Sequence, residues 1–550
     1  MEFRRTILWM ILVFSLFTLW SNWKAYNNPT PINNNSEQVQ NPATPNVPSA
    51  GTTSVTPNAT KESASLINPD SEKLTFKSDV LELTFDTVGA QIIEAKLLKH
   101  HDSENSELPT TLLNYKDGLY TIQSGVLSQT ANKTFPNQAS VFKLVSKEEF
   151  KNSENAKIVF EAESDGVKVK RTYTLTKDSY DIKVNDEIIN IGTEPVSAIH
   201  YLQITRDGEK PKDTVSMSNT YWGYAVYSDE EKFEKIPFSD IDDKSADYIS
   251  KTTNGWISFI QHYFVTAWVF EGGKEHHIEF RKAGQNLYAA SASQVLGTLA
   301  PQQAITTSSH LWVGPQDQKA LVKVHPELNT VVNYGWLTFI AKPMFSLMSW
   351  INTVIGNWGW TIVVLTIIIK LLLYPLSATS YRSMARMKNV APRMKLLKEQ
   401  YGDDKQKLNA AMMQLYRTEK INPLGGCLPI LLQIPIFLTL YRVILSSVEL
   451  RGAPWIGWIT DLSVQDPYYI LPILMILTMF LQMRMNPTPP DPTQAKIMMI
   501  MPLVFGAMMF FFPAGLVLYW TVNSLLSMLQ QWYNTRRFTQ TTNEKILTHK

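Results

Sequence analysis

The chain has 550 residues, 44% of them hydrophobic and 18% charged, which excludes an intrinsically disordered chain and any single small domain. A lone cysteine, Cys427, excludes an intramolecular disulfide and any cysteine-rich metal site. The net charge of +2 hides a division: residues 66–330 carry 27 Lys and Arg against 37 Asp and Glu, a net of −10, and the rest of the chain carries +12. A DNA binder would place its positive charge on a polar folded domain, whereas here it flanks apolar runs. Basic, apolar ends around an acidic middle predict a polytopic α-helical membrane protein with an exported domain.

Residues 1–26 have the shape of a signal sequence, with Arg4 and Arg5 ahead of an apolar run over 7–20. No small-x-small cleavage site follows, which predicts an uncleaved signal anchor with its N-terminus in the cytoplasm; a cleaved signal is the alternative. Residues 27–65, rich in Asn, Pro, Thr and Ser, read as a flexible periplasmic linker. Over 66–330, alternating runs such as Leu81-Glu82-Leu83-Thr84-Phe85 and Val167-Lys168-Val169-Lys170, separated by Asp-Gly and Asn-Gly turns, predict a large all-β periplasmic sandwich domain. Eight of the nine histidines lie there, including His100-His101 and His276-His277. Neighbouring residues on a strand point to opposite faces, so these pairs are poorly arranged for one ion, and no metal site is expected. Trp222, Tyr224 and Trp256 read as core, with a sugar-type pocket as the alternative.

Residues 331–356 predict an interfacial amphipathic helix, its stripe formed by Trp336, Leu337, Phe339, Ile340, Met344, Leu347, Met348 and Ile351. After a break at Gly356-Asn357-Trp358-Gly359 come five apolar segments, 360–374, 428–445, 468–483, 497–512 and 516–532. With the anchor they make six transmembrane helices: 357–375 holds the second and 422–534 the third to sixth. Between them, 376–421 carries a net charge of +6 and reads as a cytoplasmic basic helical hairpin turning at Gly402-Asp403-Asp404. Its charge suits anionic headgroups or a docking surface. The loop 448–467 carries −2, and 535–550 is a mildly basic cytoplasmic tail. Both termini are therefore expected in the cytoplasm.

Ionisable groups within a span are costly, which singles out Lys370 and Arg442. Arg442 lies near the outer end of its span and can snorkel to headgroups. Lys370 is too deep for that. Thr366 shares its face one turn earlier, and Gln433 and Asn523 are further polar groups that need partners away from lipid tails. A groove site and a solvated structural lysine both fit these residues.

Several segments carry a resemblance: Lys370-Leu371-Leu372-Leu373-Tyr374-Pro375-Leu376; Asn422-Pro423-Leu424-Gly425-Gly426-Cys427 with Gln433-Ile434-Pro435-Ile436-Phe437; Asp461-Leu462-Ser463 with Asp466-Pro467-Tyr468; and Phe512-Pro513-Ala514-Gly515-Leu516-Val517-Leu518-Tyr519. Together they resemble the YidC/Oxa-type membrane protein insertases. The anchor, linker and exported domain resemble the Gram-negative layout of that family. The resemblance implies a five-helix insertase core in the bacterial inner membrane, enclosing a hydrophilic groove open to cytoplasm and lipid. Lys370, Thr366, Gln433 and Asn523 would line it, and Tyr519 and Trp520 would mark the surface where substrate leaves. It implies nascent membrane proteins as clients in the lipid bilayer, the Sec translocon and the ribosome as partners, no chemical catalysis and no cofactor. The familiar motif has arginine where this chain has Lys370, which keeps the charge and gives up bidentate pairing. A secondary transporter using Lys370 is the alternative, and an envelope enzyme acting on glycans is a third reading.

Cys427 reads as a small packed residue. Cys427→Ser should therefore leave insertion of a reporter membrane protein nearly unchanged, and a requirement for the thiol would point to redox or covalent chemistry absent from this reading.

Overall fold

The computed structural model describes residues 67–548 apart from 103–104, 106, 117, 131, 151–152, 211–220, 403, 420–427 and 487–491. The signal anchor (1–26), the linker (27–65) and Cys427 with the rest of the 422–427 motif lie outside the described residues. Strands from Lys73–Lys77 to Ala304–Pro315 form two nine-stranded antiparallel sheets packed as a sandwich. The alternation seen in the sequence works as read in β1 (Val167–Thr176), where Val167, Val169, Arg171, Tyr173 and Leu175 point inward and the residues between them are half-exposed. The turn before it, Asp165-Gly166, has φ of 46° and 80°, the left-handed pair that a two-residue hairpin requires. Trp256 and Tyr224 are fully buried, so two of the three aromatics considered for a sugar pocket are core.

One inward position on β1 is a charge. Arg171 is fully buried and meets Asp186 on the adjacent β2 (Asp181–Asn190) through Nε at 2.7 Å and Nη2 at 3.3 Å. Its Nη1 donates to the Gly89 carbonyl, and Asp186 also meets His200 Nε2 at 2.8 Å. His200 lies on β3 (Val196–Asp207), which belongs to the opposite sheet, so one carboxylate ties the two layers together. Burial alone would raise the Asp186 carboxyl; the Arg171 charge and the His200 hydrogen bond outweigh it and hold it at about 2.

The helical half begins with α1 (Thr338–Ile355) and α2 (Trp358–Leu372). The expected break between them is exact chemistry: Gly356 ends α1 at φ 71°, Asn357 caps α2 by accepting from the Trp360 N–H, and Gly359 leaves room for Trp455, which a Cβ would strike at 2.2 Å. α1 turns one face into the protein and leaves another open. Ala341, Phe345, Met348 and Ile351 are buried, while Trp336 and Phe339 are 76% and 70% exposed.

Next come α3 (Tyr374–Tyr401) and α4 (Lys405–Thr418), a hairpin in which Asp404 caps α4 and Val390 and Met394 pack against Met387, Met412, Leu415 and Tyr416. The remaining helices are α5 (Leu428–Ser446), α6 (Ile470–Met485), α7 (Pro492–Met509) and α8 (Ala514–Thr548). The segment expected as a tail is helical as far as Thr548, since neither Gly nor Pro interrupts α8 after Gly515. Among the described residues no single helix is long and apolar enough to cross a membrane; α2 and α3 together qualify as a pair bent by 68°. Pro375 explains the bend: it lacks an N–H to bond back into α2, and its ring clashes with the preceding turn.

A single apolar core runs from the sandwich into these helices. Tyr227, Trp256, Val265 and Trp312 belong to the same buried cluster as Leu321, Tyr334, Phe345, Ile362 and Leu440. The loop after α5 adds Arg451, whose guanidinium lies 5.1 Å from the Phe264 ring centroid and donates to the His101 carbonyl at 2.9 Å.

Glu449 sits in that junction, and burial pushes its carboxyl up to about 7, aided by the charge of Asp317 and opposed by Lys319. A raised carboxyl pKa means that stability is fully present below about 4.5 and is lost as pH rises through about 7. Thermal unfolding at pH 5 and pH 8 should show the chain losing stability at the higher pH by up to about 3 kcal/mol more than Glu449→Gln does.

Candidate functional site

The last helix, α8, carries a buried polar stripe at four-residue spacing: Tyr519, Asn523, Ser527 and Gln531. Facing it is Lys370, in the last turn of α2 and only 9% exposed. The Lys370 ammonium donates to Ser527 Oγ at 2.6 Å, and Ser527 in turn donates to the Asn523 carbonyl at 2.7 Å. Gln530 Nε2 reaches the Lys370 carbonyl at 3.4 Å. On the other side of the stripe, Gln433 of α5 donates to the Tyr519 hydroxyl at 3.2 Å and to Asn523 Oδ1. Gln531 donates to Asn486 Oδ1 at 2.9 Å.

Gln433, Asn486, Asn523, Ser527 and Gln531 line a cavity of about 360 Å³ between α3, α5, α6, α7 and α8. Gln433, Gln482, Asn486, Asn523, Ser527 and Gln531 supply polar groups to its lining, and Met384, Met479, Met483, Met498 and Met501 supply thioethers among them. A chamber whose lining mixes amide and hydroxyl groups with flexible thioethers can hold water or a polar chain segment while moulding itself to apolar side chains.

Of the residues singled out in the sequence, Gln433 and Asn523 are brought together by their hydrogen bond and line the cavity. Lys370 is adjacent to it, behind Ser527. Thr366 is buried, but its hydroxyl donates to the Ile362 carbonyl one turn back in α2, at 2.7 Å. Tyr519 is 1% exposed and turns its hydroxyl inward. Trp520 is half-buried and lines the cavity, its ring 4.9 Å from Phe437 and 4.8 Å from Phe505. Sequence reading missed Ser527, Gln531 and the methionines of the lining, although polar residues at 519, 523, 527 and 531 within an apolar segment were a visible periodic signal.

The family described as 60Kd inner membrane protein matches residues 350–542, and the family described as YidC periplasmic domain matches residues 73–347. The chain is 52% identical over 551 residues to the membrane protein insertase YidC of Bordetella parapertussis, covering 98% of each. It is 44% identical over 554 residues to the one from Cupriavidus taiwanensis, again with 98% of each covered. A solved structure titled as an active YidC insertase with its first transmembrane domain resolved aligns with 85% of this chain and 94% of its own, at 20% identity and a TM-score of 0.41. The secondary-transporter reading of Lys370 has no support from these relatives.

The Lys370–Ser527 contact is the joint of the stripe. Losing the acceptor of a buried ammonium costs about 1–3 kcal/mol. Ser527→Ala should lower thermal stability in detergent by about that much, and Ser527→Thr, which keeps the hydroxyl, should restore most of it.

Proposed function

Since the chain belongs to the YidC family of membrane protein insertases, we propose that the cavity beside Lys370 is the chamber through which its clients enter the bilayer. The family places it in the bacterial inner membrane with the β-sandwich in the periplasm, acting on newly made membrane proteins. The observation that carries the proposal is the mixed lining of the cavity, in which amides and hydroxyls from α5, α6 and α8 are interspersed with methionines.

The barrier to insertion is desolvation. A hydrophobic segment with a polar or acidic tail must carry that tail across lipid, at a cost of several kcal/mol for each buried polar group. Amides and hydroxyls within the chamber replace part of the tail's water shell and shorten the apolar path. The methionine side chains accept the apolar segment, which then leaves past Trp520, between α5 and α7. Hydrophobic burial and the membrane potential supply the driving force, and no bond is made or broken.

Lys370 acts through its field. With Ser527 between its ammonium and the cavity, it offers a positive potential at the wall more than an open docking point. A compact, strongly hydrated ammonium serves that purpose without the fork of donors that arginine would supply. The six-span arrangement with both termini in the cytoplasm belongs to this proposal, as do a basic hairpin α3–α4 facing the ribosome and work alone or with the Sec translocon. The net charges of the loops at 376–421 and 448–467 support it.

Substitutions at Lys370 should therefore rank by charge. Lys370→Arg should retain activity. Lys370→Ala should reduce insertion of an acidic-tailed client on the order of tenfold, and Lys370→Glu should reduce it further by repelling the tail. A neutral-tailed version of the same client is the control in protease-protection assays. Equal insertion of both versions by Lys370→Glu would remove electrostatics from the mechanism.

A further inference from the structure

A second cavity, of about 330 Å³, lies at the junction of the sandwich and the helices, away from the chamber beside Lys370. Its charged lining consists of two cations, Lys235 from the sandwich and Arg442 from α5, with no carboxylate among the lining residues. Among the described residues neither cation makes an ion pair. The Lys235 ammonium rests 4.5 Å from the Tyr221 ring centroid. His262 and Gln316 are held in place by backbone: His262 Nε2 meets the Leu445 carbonyl at 2.8 Å, and Gln316 Nε2 donates to the carbonyls of Gln261, His262 and Phe264. Asn333 uses its Oδ1 to accept from the Gly335 N–H, which leaves its amide N–H groups free to donate to a ligand.

The position of the cavity indicates what would occupy it. Arg442 is one turn from the end of α5 at Ser446, where the helix reaches the periplasmic sandwich. Gly335, also in the lining, opens the turn leading into α1, and just beyond it Trp336 and Phe339 expose their rings. Exposed tryptophan and phenylalanine at the foot of a periplasmic domain mark the level of the bilayer surface. Two unpaired cations and a free amide donor at that level suit an anion of phosphate size, and a membrane surface presents phosphodiesters there.

We propose that this junction cavity binds the phosphodiester headgroup of an anionic lipid in the outer leaflet of the inner membrane, gripped by Lys235 and Arg442 together. The site takes one cation from each half of the protein, so an occupied headgroup clamps the sandwich onto the helical core. Free phosphate shares the headgroup's chemistry but lacks its anchoring acyl chains.

The test uses the full chain in nanodiscs of phosphatidylcholine with or without phosphatidylglycerol, with retained lipid counted by native mass spectrometry. The parent chain should retain phosphatidylglycerol over phosphatidylcholine. Arg442→Gln and Lys235→Gln should each weaken that retention on the order of fivefold, and Arg442→Lys should recover most of it. Thermal unfolding in pure phosphatidylcholine should be the same for all four proteins, which separates loss of the site from loss of the fold. Unchanged phosphatidylglycerol retention in the double variant overturns the proposal. Inorganic phosphate at millimolar concentration that competes away the bound lipid and protects the chain equally well overturns the assignment to lipid. Failure here leaves the Lys370 ranking untouched, because the two cavities share no residue.

Discussion

An ammonium removed from water has to find oxygen, and the helical half is organised around the way Lys370 finds it. The acceptor, Ser527, belongs to another helix and is itself bound to the Asn523 carbonyl. One contact therefore fixes the rotation of α8 about its axis as well as its distance from α2. With α8 rotated that way, Asn523 and Gln531 face the cavity, and Gln433 and Asn486 complete the lining from α5 and the end of α6. The sharp turn at Pro375 comes right after this contact and carries α3 away, with Tyr374 still reaching Asn534 at 3.3 Å.

The same logic applies to the sandwich on a drier scale. Arg171 and Asp186 are almost wholly buried, so neither can rely on solvent, and each uses its partner, a backbone carbonyl or His200 to satisfy its remaining hydrogen-bonding capacity. Removing one partner from such a pair costs more than the pair contributes, because the survivor is left charged in an apolar layer. The two sheets are thereby held in one relative position. That matters at the junction, where Trp256 and Trp312 must meet Leu321, Tyr334 and Phe345. The sandwich is joined to the helices through side chains and not only through the polypeptide link.

How much of this was legible in the sequence depends on the length scale of the cause. Local causes were readable. Alternation predicted β1, Asp-Gly predicted its turn, and Gly356 with Asn357 predicted the break between α1 and α2. Asp404 was readable as a cap because capping involves residues only two and three positions away. Causes acting across the fold were not readable in this way. Nothing local to Arg171 says that His200 will lie on the facing sheet, and the spacing of 519, 523, 527 and 531 marks a polar face of α8 without saying that Lys370 will be placed against Ser527.

The mixed lining of the proposed chamber bears on client breadth. Amides and hydroxyls make hydrogen bonds with any backbone or tail but fit none of them closely, and several of these groups, Gln433 and Asn486 among them, already bond to another side chain. The methionines are similarly unselective, because an unbranched thioether can adopt many rotamers at little cost and touch leucine, phenylalanine or valine about equally well. Neither kind of group can hold a client tightly. For an insertase this weakness is useful: a segment bound deeply in the chamber would gain nothing by moving into lipid, and only a shallow, adaptable site leaves the hydrophobic effect free to complete the transfer.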